Sequence, residues 1–289
     1  MASWIDGATR LVGLIGWPVE HSISPAMHNA AFQARRLNWV YVPLPVTPER
    51  VKAALAGLRA LGFRGANVTI PHKQAVIPYL DRITPEAQAI AAVNTVVVEP
   101  DGLMWGTNTD AAGFMEDLRA HGVEVEGKSV LVLGAGGAAR AVVYALARAG
   151  AQVTIANRTI GRAVELARHL HTVLPGRPLR VVEWSRETLT EEAKRHTLLV
   201  NTTSVGMWPE VEASPWPITA GFGQIEVVYD VIYIPAETRL LREAAAWGCR
   251  TIGGLGMLVR QGAEAWRLWT GETPPIDVMM DAARTALHR

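Results

Sequence analysis

The sequence predicts an α/β protein with two domains. Short apolar strands alternate with helical segments along most of the 289 residues, a pattern typical of folds built on parallel sheets. A glycine-rich turn at residues 134–139 lies between an apolar strand and a helix, as in a Rossmann-type domain. This turn belongs to a second series of elements that begins near residue 110, so we place the domain boundary there.

In the first series, Ser24 is predicted as the N-cap of a helix and Pro25 as its first helical residue, because these residue types are favoured there. Asp101 and Gly102 predict a tight hairpin turn. Lys73 is expected at the end of a strand and directly before a helix. The other predicted elements are strands at 10–15, 39–44 and 66–70, and helices at 24–37, 48–61 and 85–92.

The second series is predicted to contain a repeated strand–helix pattern, and two further helices close the chain. Its strand segments are predicted at 129–137, 151–159, 179–184, 197–201 and 225–231, and its helices at 110–122, 138–150, 160–171, 255–269 and 275–287.

The composition excludes several classes of function. Apolar residues make up 49% and charged residues 19% of the chain, which suits a well-packed globule. A net charge of +1 creates no field that attracts nucleic acid or an anionic membrane. The single Cys249 cannot form an internal disulfide and is predicted to be a buried apolar residue. With no secretory signal and no apolar run long enough to span a membrane, we expect a cytoplasmic protein without nucleic-acid or membrane partners.

The glycine-rich turn predicts a dinucleotide site. Gly134, Gly136 and Ala139 have the spacing G-x-G-x-x-A, which provides a tight turn, a bare backbone beside the pyrophosphate and a helix N-terminus that attracts anions. The alternative is an ordinary strand–helix turn, but the surrounding strand–loop–helix–strand order is the context that the motif requires.

The end of the next strand indicates which dinucleotide is bound. Chains that bind NAD usually carry a carboxylate about 20 residues after the glycines. Here the sequence is Asn157, Arg158 and Thr159, and Arg162 follows one helical turn later. A guanidinium suits a phosphate, and the alternative is two surface arginines on a solvated helix. The absence of any acid in this segment decides for NADP over NAD.

Lys73 and Asp110 are the candidates for acid–base chemistry. Lys73 is one of four lysines among 28 basic residues, and lysine, unlike arginine, can give up its proton in a protein. A carbonyl that receives a hydride needs such a donor. The plainer explanations are a solvated lysine and an aspartate that caps a helix. The eight histidines are interpreted as structural or solvated, and no metal site is predicted.

Small hydrogen-bonding residues surround these candidates in the sequence. Ser22 and Ser24 are two residues apart, as are Asn67 and Thr69, so each pair can face one side of an extended segment. Asn94 lies at a helix–strand junction, and Met257 and Gln261 share a helix face. Such neutral groups suit a polyhydroxylated ligand, although each alone is typical of a cap or turn.

Nine segments, in this order, resemble the shikimate dehydrogenase family: HSISPAMHNAAF, GANVTIPHK, AVNT, GTNTDAAGF, GAGGAAR, NRT, NTTSVGM, YDVIYIPAET and GGLGMLVRQGAEAW. The resemblance covers about residues 11–270. It implies reduction of 3-dehydroshikimate to shikimate with NADPH, in chorismate and aromatic amino acid biosynthesis. It also implies two α/β domains with the active site in the cleft between them: a substrate domain at 1–110, to which 254–289 return, and an NADP-binding Rossmann domain at 111–253.

The resemblance assigns roles to individual residues. Lys73 and Asp110 would be the catalytic pair, and Ser22 and Ser24 would hold the substrate carboxylate. The substrate hydroxyls would be held by Thr69, Asn94, Asp110 and Gln261, with Asn67 and Tyr233 near the ring. The NADP site would consist of Gly134, Ala135, Gly136, Gly137, Ala138, Ala139, Asn157, Arg158, Thr159 and Arg162, and on the nicotinamide side Thr203, Ser204, Val231, Gly254 and Met257.

Other readings remain open at this point. A quinate/shikimate dehydrogenase shares the scaffold but often favours NAD, against which Arg158 argues. A folate-linked methylene dehydrogenase has a similar two-domain plan but should not need Ser22 and Ser24. A regulatory module that binds NADP without catalysis would not need Lys73 and Asp110. The sequence leaves a homodimer open.

Overall fold

The computed structural model describes residues 5–217 and 221–287. The described chain divides into two compact units. The first unit contains the residues up to Gly113 and from Val259 onward, and the second unit contains Phe114–Leu258. The α/β class predicted from the alternation of strands and helices is confirmed, because each unit is built on a sheet with helices packed around it.

The first unit has a mixed sheet. Its strands are β1 Arg10–Gly16, β2 Trp39–Pro45, β3 Gly65–Val68, β4 Arg82–Ile83, β5 Thr95–Val98 and β6 Met104–Thr107, in the order β2-β1-β3-β5-β6-β4. The expectation of a parallel sheet is wrong at β5, which runs antiparallel to both β3 and β6. The predicted hairpin at Asp101-Gly102 is confirmed and explains the pairing of β5 with β6, because a connection this short can join only antiparallel neighbours.

Two local predictions in the first unit are wrong. The first helix begins with Ser24 already in its first turn, Ile23 occupies the cap position, and no side chain caps it. The segment after Lys73 forms turns and a short 3₁₀ helix at Ile77–Tyr79 instead of an α-helix. The Lys73 carbonyl accepts from the Val93 amide at 2.8 Å, which takes away the acceptor that an α-helix would use.

The remaining helices of the first unit cover the sheet. They are α1 Ser24–Ala34, α2 Val51–Ala60, α3 Pro85–Ile90 and α10 Ile276–Leu287. Helices α4 Asp110–Ala120 and α9 Leu255–Thr270 each contribute residues to both units, because the divisions fall inside them. A core cluster that includes Ile15, Val68 and Val96 fills the space between the sheet and α2.

The second unit has a parallel sheet. Its strands are β7 Ser129–Leu133, β8 Gln152–Asn157, β9 Leu179–Glu183, β10 Leu198–Asn201, β11 Val227–Asp230 and β12 Arg250–Gly253, in the order β12-β11-β10-β7-β8-β9. Every pairing between them is parallel. The strand order reverses between β7 and β10, and ligands of such sheets bind where this happens, at the carboxyl ends of the strands.

The helices of the second unit include two that the sequence pattern did not predict. They are α5 Gly137–Arg148, α6 Ile160–Val173, α7 Arg186–Ala193 and α8 Arg239–Trp247, of which α7 and α8 were missed, as was β12. All three are short, and α7 is dominated by charged and threonine side chains. The prediction that Cys249 is buried is confirmed; burial raises the pKa of its thiol, which donates to the Ile225 carbonyl.

None of the described helices is long and apolar enough to cross a membrane. Among the described residues, no cluster of three or more histidine, cysteine, aspartate or glutamate side chains could hold a metal ion.

Candidate active site

The centre of the candidate site in the first unit is an ion pair between Lys73 and Asp110. Lys73 Nζ donates to Asp110 Oδ2 at 2.5 Å, and the two side chains are only 17% and 6% exposed. Asp110 is the first residue of α4, but it does not cap the helix. Asn108 Oδ1 accepts from the Asp110 amide at 3.0 Å instead, so the Asp110 carboxylate is free to bind other groups.

Asn94 connects this pair to its surroundings. Its side-chain amide donates to Asp110 Oδ1 at 2.8 Å, to Thr109 Oγ1 at 2.9 Å and to Gln261 Oε1 at 3.2 Å. Its oxygen accepts from the Thr109 amide at 2.8 Å. Asn94 is 2% exposed, so these bonds are made away from water. Asn94 holds Oδ1 of Asp110 in a fixed direction, and Lys73 binds Oδ2.

Asn67 extends the same network. Its oxygen accepts from the Tyr41 hydroxyl at 3.0 Å, and its nitrogen donates to Thr95 Oγ1 at 3.1 Å. Tyr41 and Thr95 were missed by the sequence reasoning, as was Thr109. A signal existed for two of them, because Thr95 directly follows Asn94 and Thr109 directly precedes Asp110 in motifs already singled out.

Thr69 and the two serines lie near the carboxyl ends of neighbouring strands. Ile15 on β1 pairs with Val68 on β3, and the Thr69 amide donates to the Ile15 carbonyl at 2.8 Å. Ser22 lies in the loop after β1, and its Oγ accepts from the Ser24 amide at 3.3 Å. The expectation that both serines lie on one side of an extended segment is wrong, because Ser24 is already the first residue of α1 and Ser22 lies in the turn before it.

Two histidines of the first unit are structural, as interpreted from the sequence. His28 is fully buried and stacks on Tyr41, with ring centroids 4.3 Å apart and planes 5° from parallel. Burial lowers the pKa of His28 to about 3, so its ring stays neutral. His72 Nε2 donates to the Val46 carbonyl at 2.6 Å.

In the second unit, the glycine loop has the geometry that a pyrophosphate requires. Gly134 has φ +114°, and a β-carbon there would lie 2.5 Å from Thr202 Oγ1, so only glycine fits. At Gly136 a β-carbon would meet nothing within 4 Å, so the backbone is bare and open. Helix α5 starts at Gly137 with no side chain capping its N-terminus, which leaves its first amide groups to bind an anion.

The predicted phosphate-binding arginines follow β8. Asn157 ends the strand and donates from Nδ2 to the Thr159 carbonyl at 2.8 Å, which shapes the turn into α6. Arg158, Thr159 and Arg162 are exposed. Among the described residues, no carboxylate pairs with either arginine, so both guanidinium groups are available for a phosphate.

A buried network joins the carboxyl ends of β10 and β11. Asn201 donates to Asp230 Oδ1 at 3.0 Å and accepts from Thr203 Oγ1 at 2.8 Å, and Asp230 Oδ2 accepts from Thr238 Oγ1 at 2.7 Å. Burial raises the pKa of Asp230 to about 6. The sequence reasoning assigned no role to Asn201 and Asp230, although both lie in segments that resemble the family, NTTSVGM and YDVIYIPAET.

The remaining predicted residues of the second unit lie around this network. Ser204 is exposed, Tyr233 is half-buried in the loop after β11, and Met257 is buried in α9. Gly254 packs against the chain after β11, because a β-carbon there would overlap the Val231 carbonyl oxygen. Tyr233 thus belongs to the second unit, whereas the other predicted substrate residues belong to the first.

Three family models match the chain along most of its length. The shikimate dehydrogenase substrate binding domain matches residues 14–96, the shikimate/quinate 5-dehydrogenase model matches 117–182, and the shikimate 5'-dehydrogenase C-terminal domain matches 254–284. A curated shikimate dehydrogenase (NADP(+)) from Moorella thermoacetica is 50% identical over 285 residues, which cover 98% of this chain and 95% of the relative. The chain belongs to the shikimate dehydrogenase family.

Solved structures of this family have the same fold. Shikimate 5-dehydrogenase from Thermus thermophilus, in complex with NADP(H) and shikimate, is 43% identical with a TM-score of 0.86, covering 96% of this chain and 100% of that one. Quinate dehydrogenase from Corynebacterium glutamicum, in complex with NAD, is 33% identical with a TM-score of 0.87, covering 96% and 99%. The fold is therefore shared by relatives named for either substrate, and the choice between substrates depends on individual residues.

Proposed function

We propose that this protein is an NADP-dependent shikimate dehydrogenase, which interconverts 3-dehydroshikimate and shikimate in chorismate and aromatic amino acid biosynthesis. The Lys73–Asp110 pair carries the proposal. Its ammonium and carboxylate are 2.5 Å apart and largely buried, and the carboxylate also accepts from Asn94. This arrangement suits a proton donor held beside a bound hydroxyl or carbonyl group. Membership of the family supports the same substrate.

Lys73 acts as the acid in the reduction. The glycine loop, Arg158 and Arg162 would hold NADPH, which when bound would supply the hydride for the C3 carbonyl carbon of the substrate. As negative charge develops on the C3 oxygen, Lys73 donates an Nζ proton to it, and the carbonyl becomes a hydroxyl. In the oxidation of shikimate, Lys73 takes this proton back. Asp110 keeps the Lys73 ammonium in position, and Asn94 keeps Asp110 in position.

The neutral groups around this pair bind the substrate. In this proposal Ser22 and Ser24 donate to the carboxylate of shikimate, and Asn67 and Tyr233 lie near its ring. Support comes from the donor set, since hydroxyl and amide groups suit a ligand with several hydroxyl groups. The residues proposed to hold the substrate hydroxyls are Thr69, Asn94, Asp110 and Gln261.

The second unit binds the cofactor. The open Gly136 backbone and the uncapped start of α5 receive the pyrophosphate, and Arg158 and Arg162 bind the 2′-phosphate of NADP. The proposal is supported by the absence of a carboxylate at Asn157–Arg158–Thr159, where an enzyme that uses NAD would hold the ribose. The residues proposed on the nicotinamide side are Thr203, Ser204, Val231, Gly254 and Met257.

A steady-state assay with four substrate pairs tests the proposal. Shikimate and quinate are each oxidised with NADP and with NAD, and formation of the reduced cofactor is followed by absorbance. We expect the highest kcat/KM for shikimate with NADP. A higher value for quinate with NAD would assign the protein to the quinate-using members of the family. Binding of NADP without turnover of either acid would make it a regulatory module.

A further inference from the structure

At Gly113, helix α4 packs directly against the backbone of helix α9 at Gln261. A β-carbon on Gly113 would lie 2.7 Å from the Gln261 backbone nitrogen, 2.9 Å from its Cβ and 3.0 Å from its Cα. Glycine weakens the interior of a helix relative to alanine. Helix formation therefore does not explain glycine at position 113, whereas the contact with α9 does.

This contact lies beside the proposed catalytic pair. Gly113 is three residues after Asp110 in α4, so the two residues are neighbours on the helix surface. On the other helix, Gln261 Oε1 accepts from Asn94 at 3.2 Å, and the same Asn94 amide donates to Asp110 at 2.8 Å. Through Asn94, Gln261 and Asp110 are thus joined in one network.

An alanine at position 113 would separate Gln261 from this network. Its methyl group would meet backbone atoms of α9, which cannot rotate away as a flexible side-chain end can. Carbon and nitrogen atoms pack at about 3.5–4.0 Å, so α9 would have to withdraw by roughly 1 Å. The Asn94–Gln261 hydrogen bond is already 3.2 Å long and would be lost by such a shift.

We infer that Gly113 is a positioning residue for the reaction, because its missing side chain allows α9 to bring Gln261 to the substrate. The inference rests on the proposed function, in which Gln261 holds a substrate hydroxyl. Gly113 itself touches neither substrate nor cofactor in this scheme. It sets the distance from which Gln261 reaches the network of Asn94 and Asp110.

The test compares Gly113→Ala, Gln261→Ala and the double variant in the full-length protein. We measure KM and kcat for shikimate oxidation, and the Kd for NADP by titration. Gly113→Ala should raise KM about 3–10-fold, which is the worth of one hydrogen bond, and leave the Kd for NADP unchanged. If Gly113 acts through Gln261, the double variant should have the KM of Gln261→Ala. A wild-type KM in Gly113→Ala, or losses that multiply in the double variant, would overturn the inference.

Two control variants separate positioning from general destabilisation. Gly57→Ala adds a methyl group in the interior of α2, where it meets nothing within 4 Å. It should leave KM unchanged and raise the Tm slightly, because alanine favours a helix interior over glycine. Gly223→Ala introduces a tight contact, 2.5 Å from the Ala193 carbonyl oxygen in the second unit, and should lower the Tm without raising KM. If KM rose as much in Gly223→Ala as in Gly113→Ala, the rise in Gly113→Ala would be explained by lost stability, and the inference would be wrong.

A further variant covers the case in which Gly113→Ala does not fold. Gln261→Asn withdraws the side-chain amide by one carbon–carbon bond without adding an atom to the helix contact. It should also raise KM about 3–10-fold. An unchanged KM would show that the reach of Gln261 does not matter, and the inference would be wrong. Failure of the proposed function is recognised separately, because then the wild-type protein neither oxidises nor binds shikimate.

Discussion

Replacing Lys73 by alanine tests the centre of the proposed mechanism. The change removes the ammonium that lies 2.5 Å from Asp110 and leaves the carboxylate, 6% exposed, with its remaining contact to Asn94. Since a proton donor helps only when charge develops on the substrate oxygen, kcat should fall much more than KM rises. Removing general acid catalysis typically lowers the rate ~10²–10⁴-fold, which corresponds to a barrier higher by about 3–5 kcal/mol.

The structure also sets what Lys73→Ala should leave intact. Lys73 lies in the first unit, whereas the glycine loop and Arg158 lie in the second, so the Kd for NADP should stay at the wild-type value. The Asp110 carboxylate loses a largely buried partner, so the free energy of unfolding should fall by about 1–3 kcal/mol. The fall should not be larger, because water can reach Asp110 through the space that the lysine side chain leaves. Lys52→Ala is the matched control, since Lys52 is an exposed lysine on α2 of the same unit.

The assay is shikimate oxidation by the variants Lys73→Ala, Lys73→Arg, Asp110→Asn and the double variant Lys73→Ala/Asp110→Asn. Lys73→Arg should not restore kcat, because arginine stays protonated and its fork is larger than an ammonium. The double variant should be little worse than either single one, as expected of residues that act as a unit. A near wild-type kcat in Lys73→Arg would mean that position 73 only supplies a positive charge, and the proton donor would have to be another group.

Three further predictions concern the cofactor, the substrate and the pH dependence of stability. Arg158→Ala should raise KM for NADPH and barely change the use of NADH. The rise should correspond to the loss of one charge-assisted contact, about 1.5–3 kcal/mol. Equal losses with both cofactors would refute the assignment. Ser22→Ala and Ser24→Ala should each raise KM for shikimate and leave NADP titrations unchanged, and weaker NADP binding would mean that the serines only support the fold. Because the pKa of Asp230 is raised in the folded state, the protonated carboxyl group stabilises the folded protein relative to the unfolded chain. This contribution to the free energy of unfolding is complete below about pH 4 and is lost as pH rises through about 6. Asn at position 230 cannot ionise; its carbonyl oxygen can still accept from Asn201 and Ile232, whereas its Nδ2 cannot accept from Thr238. Asp230→Asn should therefore reduce the fall in unfolding free energy between about pH 4 and 7 by about 3 kcal/mol in denaturant titrations, and an unchanged pH profile would contradict this.

The sequence by itself determined the class of fold and the chemistry of the second unit. The alternation of strands and helices predicted the α/β class, since it reflects which faces can be buried and depends only on local order. The glycine loop was equally local: the turn needs glycine at Gly134, where φ is +114°. The absence of an acid beside Arg158 could be read directly from three consecutive residues. In the first unit, Lys73 and Asp110 were acid–base candidates by residue type, and only the resemblance to a family assigned them the role of the catalytic pair.

Local propensity was insufficient where tertiary contacts competed with it. A helix was expected after Lys73, but the Lys73 carbonyl accepts from Val93, a residue distant in the sequence, and no helix forms. Asp110 has the residue type and place of an N-cap, yet Asn108 receives the amide and leaves the Asp110 carboxylate for Lys73. In both places the observed hydrogen bond has a different partner from the one that the local pattern suggested.

Only the tertiary structure decided how the candidate site is assembled. Asn94 and Gln261 are 167 residues apart and meet because Gly113 allows α4 and α9 to approach closely. Strand β5 runs antiparallel to β6, so Asn94, just before β5, lies beside Thr109, just after β6. Such contacts depend on the volumes and directions of side chains from several elements at once, and no pattern within a short stretch of sequence records them.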